Sequence, residues 1–189
     1  MSCSLHVVIA TIGRPTLQVM INSILPFLKK DDHLSILFDG VSPTEIDTKT
    51  EATATVHIHH EPTSLGYWGH GIRNKYAPLL EKTDFVMHAD DDDEYDVNAF
   101  DVIRERCKDL NTLYVFKYHN VSNNTFVPSY PKIANTNIGT PCGIIPYELN
   151  KKGTWGHFYG GDFAFYESIE PYCNVVFCDE VVYKYIKYY

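Results

Sequence analysis

Asp84-Phe85-Val86-Met87-His88-Ala89-Asp90-Asp91-Asp92-Asp93-Glu94 runs five mostly apolar residues straight into five acids. The apolar part reads as a buried strand, so the acids stand at a strand tip beside the core. Carboxylates this close repel, and each raises its neighbour's proton affinity. A divalent cation relieves that repulsion, and Mg²⁺ or Mn²⁺ prefers oxygen ligands shared with a substrate phosphate. Residues two apart on an extended segment point the same way, so Asp90 and Asp92 can face one ligand. The same run also reads as a solvated turn, or as a charge cluster ahead of a helix beginning near Val97.

Outward from this stretch, the first half of the chain alternates strand and helix signals. His6 to Thr11 is a short β-branched run that stops at Gly13. Leu17, Met20, Ile21, Ile24, Leu25 and Leu28 then recur at helical spacing, with Pro26 set to kink or shorten that helix. Leu34 to Phe38 is a second strand, ending on Asp39-Gly40, and residues 41–55 read as polar loop. Val56 to His60 alternates as a third strand, and Gly71 to Leu80 predicts a helix with Pro78 near its end. After the acids, a helix is expected over 97–107 and strands over 113–118 and 143–145. A short helix is expected over 162–170, and further strand segments over 175–185. Alternation of this kind predicts an α/β fold with a mostly parallel central sheet and helices on both faces. Such sheets bind ligands outside the carboxyl ends of their strands. Thr11-Ile12-Gly13-Arg14, Asp39-Gly40 and the acidic run all fall there.

Composition narrows the partners. The net charge is −8, with 16 basic and 24 acidic residues and no dense Lys/Arg stripe, which argues against nucleic acid. A nucleotide remains compatible, because a cation can neutralise its phosphates locally. The five cysteines follow no zinc spacing and read as reduced. Met1 to Leu5 does not read as a signal peptide, and no apolar run approaches a membrane span. The sequons at Asn120 and Asn123 read as chance matches. A cytoplasmic, reducing setting and the absence of an integral membrane segment are therefore expected.

The order of these segments resembles glycosyltransferases of the GT-A fold, within them the family-two transferases that use nucleotide-diphospho-sugars. Asp90-Asp91-Asp92 is similar to their Asp-x-Asp motif, and Thr11-Ile12-Gly13-Arg14-Pro15 to the turn beneath the nucleotide base. Asp39 matches a position contacting base or ribose, Gly71-Ile72-Arg73-Asn74 an Arg-Asn pair, and Gly160-Gly161-Asp162 the late segment with the catalytic base. The sequence departs in having Ile12-Gly13 where the family has Tyr-Asn, and Gly161 where it has Glu.

The resemblance implies one three-layer domain over 1–189, with a donor half (1–95) and an acceptor half (96–189). It implies Mn²⁺ or Mg²⁺ on Asp92 and Asp90, with His157 a further ligand candidate. Donor contacts are expected from Thr11, Arg14, Asp39, Arg73, Asp90 and Asp91, and general-base work from Asp162. The donor would be a nucleotide sugar, UDP-linked, and a sugar or glycan hydroxyl the acceptor, with inversion. Residue by residue, plainer readings stand alongside. Asp162 also suits a helix cap, His157 an exposed loop and Arg73 a surface helix. His88 suits a packed strand position, and His57 and His59 share a strand face. Trp68 and Trp155 suit either a sugar face or the core. A sugar nucleotidyltransferase or a non-catalytic metal- or sugar-binding module are the competing functions. A dehydrogenase lacks its Gly-x-Gly-x-x-Gly.

Overall fold

The computed structural model describes residues 3–49 and 54–186. Met1, Ser2, residues 50–53 of the polar 41–55 stretch, and residues 187–189 lie outside the described residues.

Three strands supply the centre. These are β1 (Leu5–Thr11), β2 (His33–Asp39) and β4 (Phe85–Asp90), nearly every residue buried. Strands covered on both faces need apolar side chains at successive positions, not alternate ones, which is why they read as unbroken runs. With β3 (Thr55–Glu61) they form a parallel block in the order β3-β2-β1-β4. β8 (Gly143–Pro146) joins β4 antiparallel, followed by β6 (Thr112–Asn120) and β9 (Asn174–Tyr185), which pair parallel. Short β5 (Glu94–Tyr95) lies on β9, and β7 (Thr125–Val127) hairpins onto β6 within the long polar 120–140 stretch.

Alternate side chains of the central strands build two cores. Val7 and Ile9 face Leu17, Met20, Ile21 and Ile24 of α1 (Leu17–Ile24), and Phe100 and Ile103 of α3 (Ala99–Arg106). Val8 and Ala10 face Ile72 of α2 (His70–Tyr76) and Tyr147 of α4 (Tyr147–Asn150). Further along, Leu113 and Val115 pack on Phe165, Tyr166 and Ile169 of α5 (Gly161–Ile169). The result is the three-layer arrangement expected, and each fully buried aliphatic side chain contributes about 1.5–3 kcal/mol.

Prolines trim the helices. α1, α2 and α5 each end in a three-residue 3₁₀ turn, Leu25–Phe27, Ala77–Leu79 and Glu170–Tyr172, whose second residue is Pro26, Pro78 or Pro171. A ring without an N–H cannot extend the α-helical ladder, so the first two helices are shorter than the apolar spacing alone suggests. Among the described residues no helix is long and apolar enough to cross a membrane.

Candidate active site

β1, β2 and β4 end at Thr11, Asp39 and Asp90, and the loops that follow them share one edge of the sheet. The acids leave β4 in a turn, yet their exposure alternates as the sequence suggested. The Asp90 and Asp92 side chains are 34% and 22% exposed, while Asp91 and Asp93 are buried.

The buried pair fastens the turn. Asp91 accepts the Thr11 hydroxyl (2.5 Å) and the Arg14 guanidinium, and Thr11 Oγ1 in turn accepts the Gly13 N–H (2.9 Å). Asp93 accepts the Ile186 N–H (2.7 Å), and the Tyr183 hydroxyl accepts the Asp90 N–H (3.2 Å), tying the acids to β9. Thr11 and Asp91, both expected on the donor, thus spend their polar atoms on each other.

The exposed pair stays open. Asp90 Oδ1 accepts from Arg73 (2.7 Å), whose guanidinium is fully buried and also donates to Ala89 O (2.8 Å) and Trp68 O (3.2 Å). Arg73 lies over the Trp155 ring at 5.2 Å. It is therefore not a surface helix residue. It compensates Asp90 from beneath, and a guanidinium sealed this way keeps its place only while paired. Burial holds the Asp92 carboxyl above its ordinary value; Arg14, 3.7 Å away, opposes this, and Asp90 and Asp91 add to it.

Asp39 is buried and turned to the chain: it accepts the N–H groups of Leu65 (2.6 Å) and Gly66 (3.0 Å). Its job in this geometry is to hold the loop ahead of α2. Replacing it with Ala strands both donors, at about 1–3 kcal/mol. Urea unfolding should register that loss, with faster hydrogen exchange at Leu65 and Gly66; unchanged exchange would refute the role.

Asp162 is the second residue of α5, and its Oδ1 accepts the Phe163 N–H (2.8 Å). Burial raises its carboxyl above the ordinary value, and the Asp90 charge adds to that. Gly161 has a steric reason: a Cβ there would run into the Gly156 carbonyl oxygen and His70 Nδ1. That excludes the glutamate the resemblance would put at this position.

His157 lies flat on Tyr67, ring centroids 4.5 Å apart, with Nε2 3.4 Å from Asn74 Nδ2. Among the described residues no three His, Cys, Asp or Glu side chains are placed to hold one ion, so His157 is not gathered with the acids. Two partly exposed carboxylates still suit Mg²⁺ or Mn²⁺, which commonly complete their shell with substrate phosphate and water. His88 bonds Asn150 (2.8 Å) and, pushed down to about 3 by burial and the Arg73 charge, is a neutral packing residue. Trp155 is buried and Trp68 exposed, dividing a pair the sequence left open.

No protein-family model matches the chain, and no curated protein matches it in sequence. Solved structures do. Staphylococcus aureus TarS 1–349 superposes with TM-score 0.71 and 16% identity over 97% of this chain and 60% of that one. Its UDP-GlcNAc complex gives TM-score 0.69 and 12% identity over 98% and 59%. The UDP complex gives 0.64 and 14% over 97% and 60%. The fold is GT-A. This chain spans about 60% of the TarS 1–349 length.

Within that GT-A frame, the residues missed by sequence reasoning are those that fasten the site. His70, buried and with its pKa lowered by burial and by the Arg73 charge, contacts Gly156 O through Nδ1 (2.8 Å) and stacks on Trp155. Asn74 receives the Trp155 N–H (2.8 Å) and donates to Trp155 O (2.9 Å). Both clamp the 153–160 loop onto α2. Only the Arg73-Asn74 pair hinted at this, and nothing in the sequence pointed to the loop as its partner.

Proposed function

We propose that this chain is a metal-dependent glycosyltransferase that moves a sugar from a UDP-sugar to an acceptor hydroxyl with inversion. One observation carries the reading. On a GT-A fold, Asp90 and Asp92, alternate residues at the turn after β4, keep partly exposed carboxylates at the carboxyl edge of the parallel strands. The UDP and UDP-GlcNAc complexes of TarS support the donor class.

Asp92 and Asp90 would hold Mn²⁺ or Mg²⁺, which when bound acts as a Lewis acid on the departing diphosphate. Arg14, half exposed above Asp91, keeps positive charge at the same edge. Asp162 takes the proton from the acceptor hydroxyl as its oxygen bonds to the anomeric carbon and the bond to the diphosphate breaks. A single displacement from the face opposite the diphosphate inverts that carbon. The halves 1–95 and 96–189 then divide the work, the first carrying Asp90 and Asp92 and the second Asp162. A nucleotidyltransferase would need a basic, glycine-rich cradle after β1, whereas Arg14 is engaged with Asp91. Free, buried thiols at Cys107, Cys142 and Cys178 support a reducing, cytoplasmic setting.

Calorimetric titration of UDP tests the reading. Binding is expected with Mn²⁺ present, at least about tenfold weaker without it, and weakened in Asp92→Asn only when the metal is present. Equal affinity with and without the ion would overturn the metal assignment.

A further inference from the structure

The geometry points to an aromatic shelf, built from Trp68 and Tyr159 with Tyr67 at its back, as the platform on which the acceptor's pyranose ring stacks; this rests on the transferase reading above. Two loops bring these rings together. Trp68 and Tyr159 meet edge to face at 5.7 Å, and Tyr67 is backed by His157. Trp68 is 65% and Tyr159 83% exposed, and Phe158 beside them is exposed as well.

Folding alone gives no reason for such residues here. Gly66, Tyr67, Trp68 and Gly69 have φ of 67°, 57°, 54° and 81°, four successive residues in the left-handed region. Glycine takes that conformation freely, but a bulky side chain does so under strain. The strained pair also leaves its rings in water. Strain together with exposed aromatic surface marks a place built for contact.

Position selects the occupant. The Trp68 carbonyl is held by Arg73, the same guanidinium that holds Asp90, so the shelf begins one side chain from the acidic tip. On the other side, the loop carrying Phe158 and Tyr159 runs through Gly160 into α5, where Asp162 is the second residue. The start of α5 packs on the same place: a Cβ on Gly161 would meet His70 Nδ1, and the His70 ring lies 6.4 Å from Trp68, so the shelf adjoins the segment that carries Asp162. Aromatic faces suit the C–H side of a pyranose, and the Tyr67 and Tyr159 hydroxyls suit its polar rim.

Saturation-transfer NMR tests this on the UDP- and Mn²⁺-saturated chain. The probes are methyl glycosides of glucose, galactose, mannose and N-acetylglucosamine, with sorbitol as the ringless control. At least one glycoside should bind where sorbitol does not. Its affinity should fall about tenfold in Trp68→Ala and in Tyr159→Ala and be retained in Trp68→Phe. UDP affinity, titrated on the same samples, should not change. Tyr159→Ala guards against a folding defect in the strained turn. The shelf is refuted if no glycoside binds, if the alanine variants bind like wild type, or if UDP affinity falls with them, since the rings would then serve the donor. Wild type that fails to bind UDP removes the donor reading itself, and the shelf with it.

Discussion

Asp162→Asn is expected to slow sugar transfer by roughly 10²–10⁴-fold while UDP affinity stays at its wild-type value. The amide keeps the size of the carboxylate, and its oxygen can still accept the Phe163 N–H that Asp162 Oδ1 accepts now. What it loses is the capacity to take a proton. The pH profile separates this from a structural effect. Burial, with the Asp90 charge behind it, holds the Asp162 carboxyl above 3.8. A base works only when deprotonated, so transfer should fall away, on acidification, at a higher pH than a solvated aspartate would give. If Asp162 only caps the helix, Asp162→Asn will keep that hydrogen bond and leave both the rate and the Tm near wild type.

The second large effect is on stability, at the opposite edge of the sheet. Asp32→Ala is expected to cost about 3–5 kcal/mol, because it strands a buried guanidinium. Asp32 accepts from Arg104 (2.5 Å), from the Leu5 N–H (2.8 Å) and from the Lys29 N–H (2.5 Å), and both charged residues are buried. It thereby joins the start of β1, the turn before β2 and α3 at one point. For a chain of this length the loss lowers Tm by on the order of 10 °C. Asp32→Leu combined with Arg104→Met removes the unpaired charge but leaves two N–H groups without their acceptor, so its stability should recover only partly. A thermal melt of Asp32→Ala that matches wild type would show that the pair contributes little.

The stretch from Asp84 to Glu94 carries most of what is legible along the chain. Its apolar run is a central strand, and its acids alternate in exposure so that Asp90 and Asp92 stay open, as spacing two apart suggests. Helix ends were less legible. The apolar spacing of 17–28 continues past Pro26, but the α-helix stops at Ile24. Most of the expected donor residues are at the right edge of the sheet with their polar atoms otherwise engaged. Thr11 and Asp91 hold each other, Asp39 holds residues 65 and 66, and Arg73 is sealed beneath Asp90.

Local order in the chain determines the strands, the edge at which they end and the acids that edge carries. Side-chain periodicity and backbone preference act over a few residues, and a reader of sequence has those in view. Which carboxylate oxygens stay open, which arginine is buried and which tryptophan meets water is decided by tertiary contact. The partners responsible stand as far apart as Thr11 and Asp91, 80 residues, or Asp93 and Ile186, 93 residues. A hydrogen bond across that separation exists only once the sheet has brought both segments to the same edge.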